Sequence, residues 1–444
     1  MLAQLRFLWF AGDRWKRLKR PKRLQKLPSN FTIPTESVYV SPVHLHCSET
    51  KACTLQAKQT GVAGLKSGHS KKAMLAVSSA LSLASLTVAG LGGAPAAFAQ
   101  SSAHARASAV RHTSGPAVRL QETGSTLLFP LFQLWVPAYK KVASNVFITP
   151  NGTGSGTGIQ QAEDGVVQIG ASDAYMSTGL LSQHPSMLNI PLAISAQQIM
   201  YNLPGLKAST HLHLTGSVIA QMFMGKIRYW NAPQIQDLNR GIKLPHAVIV
   251  PVHRTDSSGD TFLFSQFMTD TNAQWARSVA YGTSVPWPAV AGAQGGNGNQ
   301  GVVQTAQRTP YSIAYVGISW LDKALSHGLG EAALANRTGR FLLPTVATIS
   351  AAAGQMIAKT PRDERISLIY APGANSYPII NYEYAIVNEN QSSAVVAQAI
   401  KNLLLWAINS KGGNSASFMT KVHFLPLPTS IAPLSRAQIE RIHG

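Results

Sequence analysis

The 444-residue chain is 45% apolar and 13% charged, with 38 Lys+Arg against 18 Asp+Glu and a formal net charge of +20. That composition excludes a disordered, collagen-like or small disulfide-stapled protein, and the length accommodates two globular domains, each with its own core. The charge is unevenly spread: residues 1–100 hold 14 Lys+Arg and 3 Asp+Glu, a surplus of +11, which leaves +9 for residues 101–444.

The run Arg14-Trp-Lys-Arg-Leu-Lys-Arg-Pro-Lys-Arg23 has the composition of a nucleic-acid or anionic-lipid contact. A second signal follows it. Lys71 and Lys72 precede an apolar run from Met74 to Leu91, and Ala97-Phe98-Ala99 supplies a small-x-small site. Residues 71–99 therefore read as a secretory signal peptide cleaved after Ala99. Interrupting Ser and Gly residues, and Pro95 beyond the run, argue against a spanning helix. Residues 1–70 are read as a basic extension outside the fold, either an over-extended start site or a cytoplasmic leader. Both cysteines, Cys47 and Cys53, fall there beside His44 and His46, in a spacing that matches no common zinc pattern. The exported chain is then free of cysteine, with no disulfide, thiol nucleophile or lipid-anchor site, and a periplasmic or secreted location is expected.

Residues 100–117, rich in Ser, Ala and His, are expected to form a flexible N-terminus. From there short β-rich runs alternate with helical patterns. Strands are predicted over 117–120, 146–150, 167–170, 198–201, 248–252, 313–316 and 384–387. Helices are predicted over about 127–143, 156–164, 216–223, 259–268, 301–307, 394–409 and 435–442. This alternation predicts an α/β architecture with its sheets covered on both faces. Leu128, Leu131, Phe132, Trp135 and Tyr139 form one buried stripe of the first helix.

Three times a strand leads through a Gly/Ser/Thr turn into a helix: Glu122-Thr-Gly-Ser-Thr-Leu-Leu-Phe-Pro130, Asn151-Gly-Thr-Gly-Ser-Gly-Thr-Gly158 and Arg254-Thr-Asp-Ser-Ser-Gly-Asp-Thr261. Helix N-termini expose unpaired N–H groups and the positive end of the macrodipole, so they attract anions. One such turn is an ordinary helix cap. Three, one of them carrying Arg254, provide the converging donors that a small tetrahedral oxyanion requires. None is a Walker A loop or a nucleophile elbow.

The chain resembles the phosphate-binding proteins of bacterial phosphate ABC transporters. The resemblance rests on Thr-Gly-Ser-Thr-x-x-Phe-Pro at 123–130, Gly-Thr-Gly-Ser-Gly-Thr-Gly at 152–158, Ile-Gly-Ala-Ser-Asp-Ala at 169–174 and Leu-Pro-Gly-Leu-Lys at 203–207. It continues in Gly-Lys-Ile-x-x-Trp-Asn at 225–231, Arg-x-Asp-x-Ser-Gly at 254–259, Gly-Asn-x-Gly-Val at 298–302, Ile-Ala-Tyr-Val at 313–316 and Tyr-Pro-Ile at 377–379. It implies a class II two-lobe fold, with residues 118–193 plus 374–444 in lobe 1, residues 194–373 in lobe 2 and the ligand in the cleft between them. It further implies high-affinity binding of inorganic phosphate, no catalysis, no cofactor or metal, a membrane permease as partner, no nucleic acid, and a monomer.

Carried over by residue, the resemblance puts phosphate donors at Ser155, Arg254, Ser258 and Gly259, with backbone N–H groups at Leu128 and Phe129, and a carboxylate acceptor at Asp173. Phosphate near neutral pH still carries a proton and sulfate does not. A buried carboxylate accepts the P–OH hydrogen bond, whereas sulfate would leave it repelled and unpaired. Asp256 is expected to orient Arg254, and Thr126 or Ser125 to compensate for the missing hydroxyl at Leu128. Asp260 stands where threonine is common in the family, unfavourable beside an anion unless it caps its helix or turns toward a cation.

His211, His213 and His253 lack the spacing of a metal site. The Gly/Asn-rich stretch 292–301 reads as a surface loop. Arsenate, and less readily sulfate or molybdate, remain alternative ligands; a secreted phosphoesterase is the alternative of another class.

Overall fold

The computed structural model describes residues 115–444; the basic extension, the signal-peptide reading, both cysteines and most of the expected flexible N-terminus lie outside them. The first half of the fold opens with β1 (Val118–Gly124), α1 (Phe129–Val142), β2 (Val146–Gly152), α2 (Ser155–Glu163), β3 (Ile169–Ser172) and β4 (Met187–Tyr201). Then come β5 (Val250–Arg254), α3 (Gly259–Thr271), β6 (Gln294–Gly296), α4 (Gly298–Arg308), β7 (Ser312–Gly317), β8 (Ile380–Asn388) and α5 (Ala394–Ala407).

Among the described residues these strands join in the order β2-β1-β3-β8-β4-β7-β5-β6, with Gly330–Glu331 and Leu425–Pro426 also pairing with β4. Pairing is parallel for β1 with β2 and β3, and for β5 with β6 and β7. It is antiparallel where β8 meets β3 and β4, and where β4 meets β7. The sheet is therefore two parallel-stranded halves joined through antiparallel strands. The long strand β4 serves both: Met187 to Ala196 pair with β8, and Gln197 to Tyr201 pair with β7.

Local sequence explains α1. Pro130 sits in the first turn, where its missing N–H is harmless, and Lys140 and Lys141 lie in the last turn against the negative end of the dipole. Its expected stripe of Leu131, Phe132, Trp135 and Tyr139 is buried, each such side chain contributing about 1.5–3 kcal/mol by leaving water. The Trp135 indole also donates to the Gly413 carbonyl at 2.9 Å.

Three expectations need correction. Strand β4 runs for 15 residues, although only its last four were predicted. All 15 are buried, so no alternation marks it, and Pro191 argues against a strand. The register against β8 shifts there, Ala193 pairing with Glu383 and Pro191 with Tyr384, so an irregularity in the ladder accommodates the proline. The stretch 292–301 is not a surface loop: it holds β6 and opens α4, with Gly298 and Asn299 buried. Helices Thr178–Gln183, Ala273–Ser278 and Val346–Met356 were not anticipated. No helix among the described residues is long and apolar enough to cross a membrane.

Candidate functional site

The three Gly/Ser/Thr turns meet. Gly124 ends β1, and Ser125 turns inward ahead of α1; its Oγ accepts from the backbone N–H groups of Leu127 and Leu128 at 3.1 and 2.9 Å and donates to Asp173 Oδ1. At the second turn, Gly154 adopts φ 99°, a conformation that favours glycine, and releases Ser155 as the first residue of α2. Ser155 Oγ donates to Asp173 Oδ2 at 3.3 Å and receives the Asp173 N–H at 3.2 Å. At the third turn, Ser258 caps α3 by accepting the Thr261 N–H at 3.3 Å. Gly259 follows, so close that an added Cβ would collide with Asp173 Oδ2 and Ser155 Oγ.

A fourth helix start, missed in the sequence, closes the group. Asn299 of α4 donates from its backbone N and its Nδ2 to Thr126 Oγ1, at 3.1 and 3.0 Å, and from Nδ2 to Asp260 Oδ2 at 2.6 Å. The Gly298 N–H reaches Asp256 Oδ1 at 3.0 Å. Four helix N-termini thus surround one cluster of charged side chains.

At its centre is Arg254, 3% exposed. Its Nε donates to Asp256 Oδ1 at 2.8 Å, its Nη2 to Asp256 Oδ2, and its Nη1 to Asp260 Oδ2 at 2.7 Å. Asp256 therefore holds the guanidinium as a two-pronged fork, as expected for a residue that orients it. Asp260 turns toward the same cation and is further fixed by Gln197 Nε2 at 3.1 Å, which resolves its unfavourable position in the sequence. Burial alone would lower the Arg254 pKa, but the two carboxylates raise it, so it stays charged. Burial opposes ionisation of Asp256 as well, yet the Arg254 bonds hold its carboxyl below the usual range. For Asp260, burial outweighs Arg254 and the direction is upward. Removing one partner from such a buried pair costs about 3–5 kcal/mol, because the other charge is left unpaired.

Asp173 is buried, and its pKa is raised by loss of solvent and then by the Asp260 charge. Behind it stands a second carboxyl, Glu383 of β8, with Asn381 beside it. Asn381, Glu383, Gln197, Asn299 and Ser125 were not among the primary expected residues. Their signal was a polar side chain inside an otherwise apolar strand or at a helix start.

The structure brings Ser155, Asp173, Arg254, Ser258 and Gly259 together, with Asp256, Asp260 and Thr126 around them. It also shows that the N–H groups of Leu128 and Phe129 are engaged with Ser125, by Oγ at 2.9 Å and by the carbonyl at 3.0 Å. An anion there would share those donors with Ser125. The histidines do other work: His211 Nδ1 lies 3.0 Å from the Glu331 carbonyl, His213 stacks on Phe341 and His253 on Trp287.

Two α/β halves sharing a long strand, with helix N-termini gathered where they meet, define a two-lobe periplasmic binding protein fold. Residues 102–411 match the model of a PBP superfamily domain. The phosphate-binding protein PstS of Methanocaldococcus jannaschii is 35% identical over 309 residues, covering 65% of this chain and 78% of the relative. That of Pasteurella multocida is 32% identical over 315 residues, covering 71% and 88%. The chain belongs to this PstS family of phosphate-binding proteins. Two solved structures share the fold. A high-affinity periplasmic phosphate-binding protein with phosphate bound has a TM-score of 0.58 at 21% identity, covering 72% of this chain and 93% of its own. The phosphate-binding protein of Stenotrophomonas maltophilia has a TM-score of 0.55 at 18%, covering 73% and 94%.

Proposed function

We propose that this chain is the extracytoplasmic phosphate receptor of an ABC importer: it binds inorganic phosphate between two lobes and delivers it to a membrane permease. One observation carries the reading. A buried guanidinium, fixed by Asp256 and Asp260, lies in the same cluster as a buried carboxyl, Asp173, within a ring of helix N-termini. The cation and the N–H groups supply donors for the anion's oxygens, and Asp173 supplies an acceptor for its proton. Family membership supports the same ligand. Ser155, Arg254, Ser258 and Gly259, with the N–H groups of Leu128 and Phe129, are the proposed donors.

Lobe 1 is proposed as residues 118–193 plus 374–444 and lobe 2 as residues 194–373; the hand-over of β4 from β8 to β7 at Ala196–Gln197 lies close to the first boundary. Export through residues 71–99, a monomeric state and a role in binding without catalysis belong to the same reading. Use of the Ser258 hydroxyl as a helix cap supports the last of these.

Calorimetry with phosphate and sulfate tests the proposal. Phosphate should bind with one site per chain, and sulfate at least about 100-fold more weakly, since it leaves a buried carboxylate unpaired. Equal affinity for the two anions would overturn the acceptor role of Asp173. Steady turnover of a phosphate monoester by pure protein would overturn the non-catalytic reading.

A further inference from the structure

Glu383 is fully buried on β8, pointing to the same cluster from behind Asp173. Its Oε1 accepts from Ser195 Oγ at 2.6 Å and from Asn381 Nδ2 at 3.0 Å. Its Oε2 has no donor among the described residues, although water is excluded from it. Asn381 Nδ2 ties the two residues together, donating to the Asp173 carbonyl at 3.2 Å as well as to Glu383 Oε1, so the two buried carboxyls are neighbours and each acts on the other's pKa. Two ionised carboxylates buried side by side would be unfavourable, because neither has a hydrogen to give and their charges repel. A proton on Glu383 removes both problems and gives it a hydrogen to donate.

The surroundings decide which residue carries it. Burial and then the Asp260 charge raise the Asp173 pKa to about 7, while the Ser125 and Ser155 hydroxyls it receives and the nearby Arg254 charge favour its ionised form. Glu383 has no cation beside it, and burial, followed by the Asp173 charge, holds its pKa well above the usual carboxylate range. The charged groups facing the pair are Arg254 of β5 and Asp260 of α3, both on the Asp173 side. An ionised Glu383 would add a further negative charge to a cluster in which Asp173, Asp256 and Asp260 already face a single guanidinium.

We propose that Glu383 is a positioning residue for phosphate selectivity: it keeps a proton and donates it to Asp173, so that Asp173 remains a charged acceptor aimed at the P–OH of the bound anion. This rests on the phosphate reading above. The Asp173 that reads the ligand is then itself held by hydroxyl donors on one side and a carboxylic acid on the other.

The test compares the intact wild-type protein with Glu383→Gln and Glu383→Leu, by phosphate calorimetry from about pH 6 to 9 and by infrared spectroscopy with isotope-labelled glutamate. The wild type should bind phosphate more weakly at the alkaline end, as Glu383 loses its proton; glutamine carries a permanent donor, so E383Q should keep the phosphate Kd within about threefold at neutral pH and show no such weakening. Leucine has no donor, so E383L should bind phosphate about tenfold or more weakly. The wild type should show a protonated-carboxyl C=O band that is missing in E383Q. If E383L does not fold, E383Q and the infrared band still decide. Identical pH profiles for wild type and E383Q, or absence of the band, would overturn the inference. A wild-type protein that binds no phosphate would instead sink the functional proposal, and the band alone would then decide whether Glu383 holds the proton.

Discussion

The backbone N–H of Gly156 donates to the carbonyl oxygen of Ser257 at 3.0 Å, tying the first turn of α2 to the turn that precedes α3. The two segments flank strands in opposite halves of the sheet, so their contact joins the two proposed lobes across the cluster. Gly259 lies at the same contact, with Asp173 and Ser155 against its Cα. A methyl group there has no space. Gly259→Ala is expected to cost about 1–3 kcal/mol of overpacking in the closed form and little in an open one. Phosphate affinity should fall fivefold or more while the ligand-free melting temperature changes little; calorimetry and a melt check it, and small-angle scattering should show a molecule that no longer contracts on adding phosphate.

Asp173→Asn exchanges an acceptor for a group that also donates. Phosphate should weaken by about 1–3 kcal/mol, the cost of a buried mismatched hydrogen bond, while sulfate gains because the repelling charge is gone. The measurement is the ratio of the two dissociation constants at one pH. A ratio unchanged from wild type would remove Asp173 from the selectivity argument.

Asp260 takes one of the Arg254 donors and places a carboxylate within the proposed anion site. Asp260→Asn should therefore strengthen both phosphate and sulfate, by about three- to tenfold, as the guanidinium is less fully neutralised. The ligand-free protein should melt at a lower temperature, since Arg254 loses a buried partner. Tighter anion binding with reduced stability is the expected pair of results, and weaker binding of both anions would show Asp260 to be an aid to the site.

Away from the cleft, Glu364 accepts from Ser435 Oγ and Gln438 Nε2, and burial raises its pKa from 4.5 to about 8. A carboxyl that is protonated when folded and ionised when unfolded contributes stability that is complete below the unfolded value. That contribution is lost as pH rises through the folded one. Wild-type stability should therefore decline between about pH 4.5 and 8. Glu364→Gln should flatten that decline, as read by denaturant unfolding at both ends of the range.

The turns were legible because glycine and hydroxyl residues are needed at helix starts whatever the fold, and their spacing survives in the chain as plain text. Arg254 and Asp256 were legible for a related reason, since they stand two residues apart in one turn, near enough for a fork to reach its carboxylate. Glu383 and Gln197 were not. Each is a polar residue in a strand buried on both faces, and its meaning depends on partners far away in sequence, Asp173 for one and Asp260 for the other. The stretch 292–301 misled because Gly and Asn are the residues of exposed turns. Here they allow Gly298 and Asn299 to approach Asp256 and Thr126.

Strand β4 has a mechanical consequence. A hinge made of loops would let each half of the molecule melt on its own, but here one buried strand supplies hydrogen-bond ladders to both. Unravelling either half strips pairing from the other's neighbour, so heat should dissolve the whole body in a single cooperative step. Opening of the proposed cleft is then expected to be a flexing of a continuous ribbon, springy and self-returning, in place of free rotation about a slack joint.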